Sequence, residues 1–206
     1  MTHASGEGGG RLEVLPRRMG TTDEELVSRL AAGDMDALGA IYLRHKAMVC
    51  TALQRFAPTA SAAEIEELVQ DVFLALPEAA ARYEERARFK AWLFGIAVRK
   101  ARNHGRRAWF RRAGGIEDEP RDPAPAPEQA AQSRELALQL LERLPRGQRE
   151  VLVLHAVEGF DGEEIARILG ISPGTVWTRL HRARQAVLEA KEAVVPLGST
   201  ALEVER

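Results

Sequence analysis

Between Ala113 and Ser133 the chain carries Gly114 and Gly115, then prolines at 120, 123, 125 and 127. Five acids (Glu117, Asp118, Glu119, Asp122 and Glu128) stand there against the single Arg121. Proline removes backbone donors and like charges repel, so this stretch cannot join a packed core. It reads as an acidic, Pro-rich linker, extended by its prolines and by its own charge. The 206 residues therefore divide into two small units, 21–112 before the linker (113–133) and 134–192 after it. Apolar residues at 45% and charged residues at 29% suit folded units with cores of their own. Only 5% of residues are aromatic, and Ala, Leu, Glu and Arg dominate. These are good helix formers, and long sheet-forming runs are hard to find, so both units are expected to be all-α. Residues 1–20, with Gly8, Gly9 and Gly10 in a row, are expected to be a flexible arm, with Met19 an alternative start of translation; residues 193–206 are expected to be a loose tail.

Helix starts and stops are legible along the chain. Thr22 with Glu25, and Ser61 with Glu64, have the capping-box spacing in which hydroxyl and carboxylate satisfy free amides at a helix start. Leu26, Val27 and Leu30 mark the buried side of the first helix, which Gly33 ends. Leu38, Ile41, Tyr42, His45, Val49, Ala52, Leu53 and Phe56 step by three and four along a second, closed by Pro58. The third helix sets Ile65, Leu68, Val69, Val72, Phe73 and Leu76 on one side and Glu64, Glu67 and Asp71 on the neighbouring face. Beyond the linker, Leu136, Leu140, Leu141 and Leu144 predict a helix that Pro145 stops, and Val151, Leu152 and Leu154 another that Gly159 ends.

Charge is balanced in total, with a net charge of −1, but segregated along the chain. From Arg86 to Arg112 ten Lys or Arg residues stand with no acid among them, interleaved with Phe89, Trp92, Phe94, Trp109 and Phe110. Cations that pair with phosphates, beside rings on which bases stack, have the composition of a nucleic-acid surface.

The densest signal is DGEEIARILGISPGTVWTRLHRAR over residues 161–184. Asp161 can cap a short helix, Ala166 is small enough for a second helix to cross closely, and Gly170 permits a left-handed turn. Ser172 then caps the next helix, with Pro173 at its first position. This is the plan of a helix-turn-helix. Counting 100° per residue from Val176, Leu180, Ala183 and Val187 point inward; Gly174, Trp177, Thr178, His181, Arg182 and Gln185 point outward. Arg167, Arg179, Arg182 and Arg184 surround that outward face, and no acid lies between Glu164 and Glu189. A phosphate backbone would meet unopposed positive charge there.

Other chemistry finds little support. Residues 170–174 (GISPG) fit the string of a hydrolase nucleophile elbow, but an elbow needs a preceding strand, whereas a helix is expected before Ser172. The single Cys50 excludes an internal disulfide and reads as a core residue, and the five His show no ligand spacing. No catalytic, cofactor-binding or metal-binding residues are assigned. No run approaches the roughly 18 apolar residues of a membrane span, and the first residues lack the apolar middle of a signal peptide, so a cytoplasmic protein without membrane insertion is expected.

Three segments in order resemble one family, the bacterial RNA polymerase sigma factors of the extracytoplasmic-function (ECF) class. Residues 67–74 (ELVQDVFL) resemble its polymerase-clamp-binding helix and residues 89–97 (FKAWLFGIA) its promoter-melting helix. Residues 144–152 (LPRGQREVL) and the helix-turn-helix through Arg184 resemble the region that binds the −35 element. The resemblance implies a non-enzymatic factor that binds core RNA polymerase at clamp and flap, recognises and melts promoter DNA, and is held by an anti-sigma factor, with no small-molecule substrate. It implies polymerase contacts at Glu67, Gln70, Asp71 and Phe73. It implies −10 contacts at Arg88, Lys90, Trp92, Arg99, Lys100, Arg102, Asn103, Arg106 and Arg107, and −35 contacts at Thr175, Trp177, Thr178, Arg179, His181, Arg182 and Arg184. The chain departs from the family pattern at Arg99, where Asn is usual, at Asn103, where Asp is common, and at Trp177, where Lys or Arg is usual. Two other functions compete with this one. An ordinary helix-turn-helix regulator would leave the basic helix and acidic linker without a purpose, and an RNA-modifying or hydrolytic enzyme would lack a catalytic constellation.

Overall fold

The computed structural model describes residues 21–84, 88–113 and 128–194, so the expected arm, residues 114–127 of the expected linker and residues 195–206 of the expected tail lie outside the described residues. Helices α1 (Asp23–Ala31), α2 (Met35–Phe56), α3 (Ala62–Leu74), α4 (Leu76–Ala80) and α5 (Phe89–Ala113) form the first unit. Helices α6 (Glu128–Arg143), α7 (Arg146–Leu152), α8 (Gly162–Leu169) and α9 (Pro173–Val194) form the second, with a π-helical turn over Val153–Val157 between α7 and α8.

The expected caps are in place. Both Thr22 and Ser61 close reciprocal capping boxes with Glu25 and Glu64. Asp161 closes a third box with Glu164. Each such cap stabilises its helix by about 1 kcal/mol. Gly33 and Gly170 take the positive φ values, 93° and 67°, that let the chain leave α1 and α8 without strain. Asp34 caps α2 by accepting from the Asp36 amide at 3.0 Å while Arg29 donates to it at 2.7 and 2.9 Å.

The linker expectation is corrected at its C-terminal end. Helix α6 begins at Glu128 rather than after Ser133, because past Pro127 the run EQAAQS holds no proline and is built from tolerant helix residues. Within α6 it is Leu138 that is buried, whereas Leu136 faces outward.

In the first unit α2 packs on α1, α3 and α5, and α3 on α5; in the second, α9 packs on both α7 and α8. The two units also pack on one another. Helix α5 lies against α8, and α2 meets α6, α7 and the π-helical turn. The buried apolar side chains accordingly form one continuous cluster, from Val27, Ile41 and Leu53 through Phe94 to Phe160, Ile165 and Leu180. Cys50 packs against this cluster, and burial pushes its thiol pKa up, which keeps it protonated. Among the described residues no helix is long and apolar enough to cross a membrane.

Candidate nucleic-acid interface

Helix α5 sorts its stripe into three groups. Phe89, Leu93, Phe94, Ile96, Ala97, Val98 and Ala101 are buried. Trp92 is half-buried, its ring edge-on to Tyr83 at 5.1 Å and tilted on Phe89 at 5.8 Å, so the indole braces the start of the helix. The outer face carries Arg99, Asn103, Arg106, Arg107 and Phe110, spaced by three and four residues and all exposed. Trp109 and Phe110, 4.9 Å apart and edge-to-face, extend this face with exposed rings. Arg106 reaches Asn103 Oδ1 at 3.3 Å, and Lys100 lies 4.0 Å from Asp71 on α3.

The third group of α5 cations points at the second unit. Arg102 donates to both carboxylate oxygens of Glu150 at 2.8 and 2.7 Å, and that hydrogen-bonded pair holds its guanidinium pKa above the ordinary value. Lys90 Nζ donates to the Glu158 carbonyl at 2.9 Å and lies 3.3 Å from its carboxylate. Arg88, just before the helix, donates to Glu164 at 3.1 Å. Glu150, Glu158 and Glu164 did not stand out in the sequence as partners of the basic helix, since they lie 48, 68 and 76 positions from those cations.

On α3, Glu67, Gln70 and Asp71 are exposed along one face, as expected. Phe73 is a correction: only 4% of it is exposed, because it points into the bundle and meets Tyr42 edge-on at 4.9 Å. The apolar side chain on the acidic face is instead Leu74, 73% exposed. The wheel that groups Gln70 with Asp71 also reaches Leu74, three or four residues on, so this residue was within reach of the sequence. Glu64 turns toward α5, with Arg111 at 3.0 Å and His104 at 3.4 Å.

In the helix-turn-helix, α9 buries Val176, Leu180 and Ala183 and leaves Trp177, Thr178, His181, Arg182, Arg184 and Gln185 exposed, as the 100° count requires. Ser172 caps α9 by accepting from the Thr175 amide at 3.3 Å and shares a 2.8 Å hydrogen bond with the Thr175 hydroxyl. Helix α8 precedes it, which is no elbow geometry. Thr178 donates to the Gly174 carbonyl at 2.9 Å.

Trp177 does not hang free. Its ring lies over Gly162, where a Cβ would stand 2.9 Å from Cζ2, and meets His155 edge-on at 5.8 Å. Nδ1 of His155 donates to the Phe160 carbonyl at 3.1 Å, which fixes that ring. Arg179 turns aside from the reading face, its guanidinium over Gly147, in a cleft also lined by Arg102, Arg146 and Glu150. Among the described residues no three His, Cys, Asp or Glu side chains gather to hold a metal ion.

Comparison with known proteins agrees with this geometry. The family model described as Sigma-70 region 2 matches residues 41–111, and the one described as Sigma-70, region 4 matches residues 134–187. The chain is 31% identical over 179 residues to the ECF RNA polymerase sigma-E factor of Escherichia coli (strain K12), covering 81% of this chain and 92% of that one. It is 34% identical over 172 residues to the RNA polymerase sigma factor NccH of Alcaligenes xylosoxydans xylosoxydans, covering 80% and 91%. Among solved structures it resembles CnrH in complex with the cytosolic domain of CnrY, with a TM-score of 0.65 and 28% identity over 84% of this chain and 98% of that one. It also resembles the sigma factor RpoE in complex with the anti-sigma factor NepR from Bartonella quintana, with a TM-score of 0.61 and 26% identity over 74% and 98%.

Proposed function

The chain belongs to the ECF class of RNA polymerase sigma factors, non-enzymatic initiation factors that bind core polymerase and direct promoter recognition, and from that premise we propose how its parts divide the work. The first unit, residues 21–112, docks on the polymerase clamp through Glu67, Gln70, Asp71 and the exposed Leu74. It holds the melted −10 strand against α5, where Arg99, Asn103, Arg106 and Arg107 on the outer face, and Arg88, Lys90 and Arg102 once released from the second unit, meet phosphates and the half-buried Trp92 meets a base. The second unit, 134–192, reads the −35 element through α9: Trp177, Thr178, His181 and Arg182 face the bases, while Thr175, Arg179 and Arg184 meet the backbone. The linker joins the two, its acidic charge imitating nucleic acid on its way along the polymerase.

The observation that carries this reading is the pair of outward faces on α5 and α9, rich in Arg, with no acid on α5 and none on α9 before Glu189. Such faces suit phosphate and base edges; a sensor or enzyme has no use for two of them. An anti-sigma factor is proposed as a further partner, since the solved relatives are held by CnrY and by NepR. The site of action is the cytoplasm, where polymerase and promoter are.

The test is capture by core polymerase followed by run-off transcription. Reversing charge at Glu67 and Asp71 should weaken core binding while the far-ultraviolet ellipticity stays that of the wild type, because exposed acids contribute little to folding. Unchanged core affinity in a titration would remove α3 from the polymerase contact.

A further inference from the structure

We propose that the second unit is an intramolecular cover for the promoter-facing cations of the first: Glu150, Glu158 and Glu164 take up Arg102, Lys90 and Arg88, so the −10 strand and the helix-turn-helix unit compete for the same groups. The inference rests on the assignment of α5 to the −10 strand. All three acids belong to the second unit and all three cations to α5 or the residue before it.

The carboxylates are the desolvated side of these pairs. The Glu150 side chain is 3% exposed, Glu164 7% and Glu158 9%, whereas the three cations keep 28 to 75% of their side chains open. A carboxylate taken out of water needs a partner, and one left without it is strongly destabilising. A phosphate therefore cannot draw Arg102 away while Glu150 stays buried against it; the second unit has to leave as the strand arrives. An apolar seat accompanies the ion pairs. Phe94 meets Phe160 edge-on at 5.3 Å, and Lys90 Nζ lies 5.5 and 5.1 Å from the two ring centroids.

Two of the three acids keep a partner when the units part, whereas Glu158, paired with Lys90 and Arg55 of the first unit, returns to water. Arg146, one turn away on α7, is 3.7 Å from Glu150 and travels with it. Glu164 keeps the Asp161 amide at 3.2 Å in its capping box. The contact is therefore built to be released. It also masks one promoter element and not the other, because Trp177, Thr178, His181 and Arg182 stay exposed in the closed form. The free chain can still meet duplex DNA through α9, while the −10 surface is reduced to Arg99, Arg106 and Arg107.

The experiment uses the full chain without polymerase and the double substitution Glu150→Gln, Glu158→Gln, which leaves every α5 cation in place. Small-angle scattering reads closure, and fluorescence anisotropy reads binding to a short mixed-sequence single strand and to a mixed-sequence duplex. The variant should scatter as a more extended particle and bind the single strand about tenfold tighter, with a change of less than about twofold on the duplex. The exchanged pair Arg102→Glu, Glu150→Arg should scatter as compactly as the wild type, which separates opening from unfolding. A neutralised variant as compact as the wild type overturns the cover, as does an exchanged pair that stays extended. Opening with no gain on the single strand overturns the masking. Failure of the α5 assignment itself would show elsewhere, as unchanged open-complex formation when Arg106 and Arg107 are replaced in the holoenzyme.

Discussion

Gly162→Ala tests how the reading helix is held. Glycine is a poor helix residue, and at the first position of α8, with no positive φ to require it, alanine should stabilise by up to about 1 kcal/mol. The structure opposes this gain. The new Cβ would lie 2.9, 3.1 and 3.3 Å from Cζ2, Cε2 and Nε1 of Trp177, against an ordinary separation of about 3.5 to 4.0 Å, so the indole has to move by more than half an ångström. Overpacking of this kind costs about 1 to 3 kcal/mol, less where the ring can swing outward, and Trp177 is 51% exposed. The expected net effect is a loss of about 1 kcal/mol in the wild-type background. With Trp177→Ala the obstacle is gone, and Gly162→Ala should then be neutral or stabilising by about 0.5 kcal/mol. Urea unfolding of the four chains of this cycle reads a coupling of about 1 to 1.5 kcal/mol. Equal effects of Gly162→Ala in both backgrounds would refute the packing of the ring on α8. A displaced ring should also alter the preferred −35 sequence in a binding-site selection, since Trp177 stands on the outward face of α9.

On α9, Arg182→Ala should relax preference at one or two −35 positions, worth about 1 to 3 kcal/mol of discrimination, while Arg179→Ala should weaken all sequences nearly equally; the same preference in Arg182→Ala and wild type sinks the base-reading role. Trp177→Lys should strengthen binding to nonspecific duplex by adding a charge where the wild type has none, measured as a steeper salt dependence. Substituting Arg106 and Arg107 should impair open-complex formation and flatten the salt slope by roughly 0.9 for each phosphate no longer neutralised; wild-type values of both would make α5 a solvated face. At Asp34 the hydrogen bond from Arg29 lowers the carboxyl pKa from its ordinary 3.8, so its contribution is present above that value and lost as pH falls through the lowered one. Asp34→Asn should therefore flatten the acid side of the stability profile by lowering stability at neutral pH, and leave stability below the lowered pKa nearly unchanged, as read by thermal unfolding across pH.

What the sequence disclosed was local. Caps and stops depend on residues three or four apart, and Thr22 with Glu25, Ser61 with Glu64, Gly33 and Gly170 all occupy the positions their spacing predicts. The wheel of α9 succeeded for the same reason, since a straight helix carries its faces forward without reference to anything else. The π-helical turn at Val153–Val157 shows where this ends. Its Glu158 amide bonds to the Val153 carbonyl at 3.1 Å, and the wider turn buries both Val153 and Leu154, a choice made by packing rather than by local preference. At Phe73 the pattern itself held the answer: its place on the apolar stripe of α3 puts it inside, where it meets Tyr42, and leaves Leu74 on the acidic face.

The charges on α5 mark the deeper limit. A run of ten cations without an acid looks unopposed along the chain, yet opposition in a folded protein is set by distance in space. Arg88, Lys90 and Arg102 find carboxylates 48 to 76 residues away, while Arg99, Arg106 and Arg107, equal members of the same run, find no carboxylate among the described residues. The division follows the helix wheel: Lys90 stands one turn before Phe94, the ring that meets Phe160 of the second unit. Once that apolar contact fixes which side of α5 the second unit covers, the cations flanking it acquire partners and those on the opposite side do not. Basic composition thus identifies the ligand chemistry of this helix, and the apolar residues between the cations determine which of them remain free to use it.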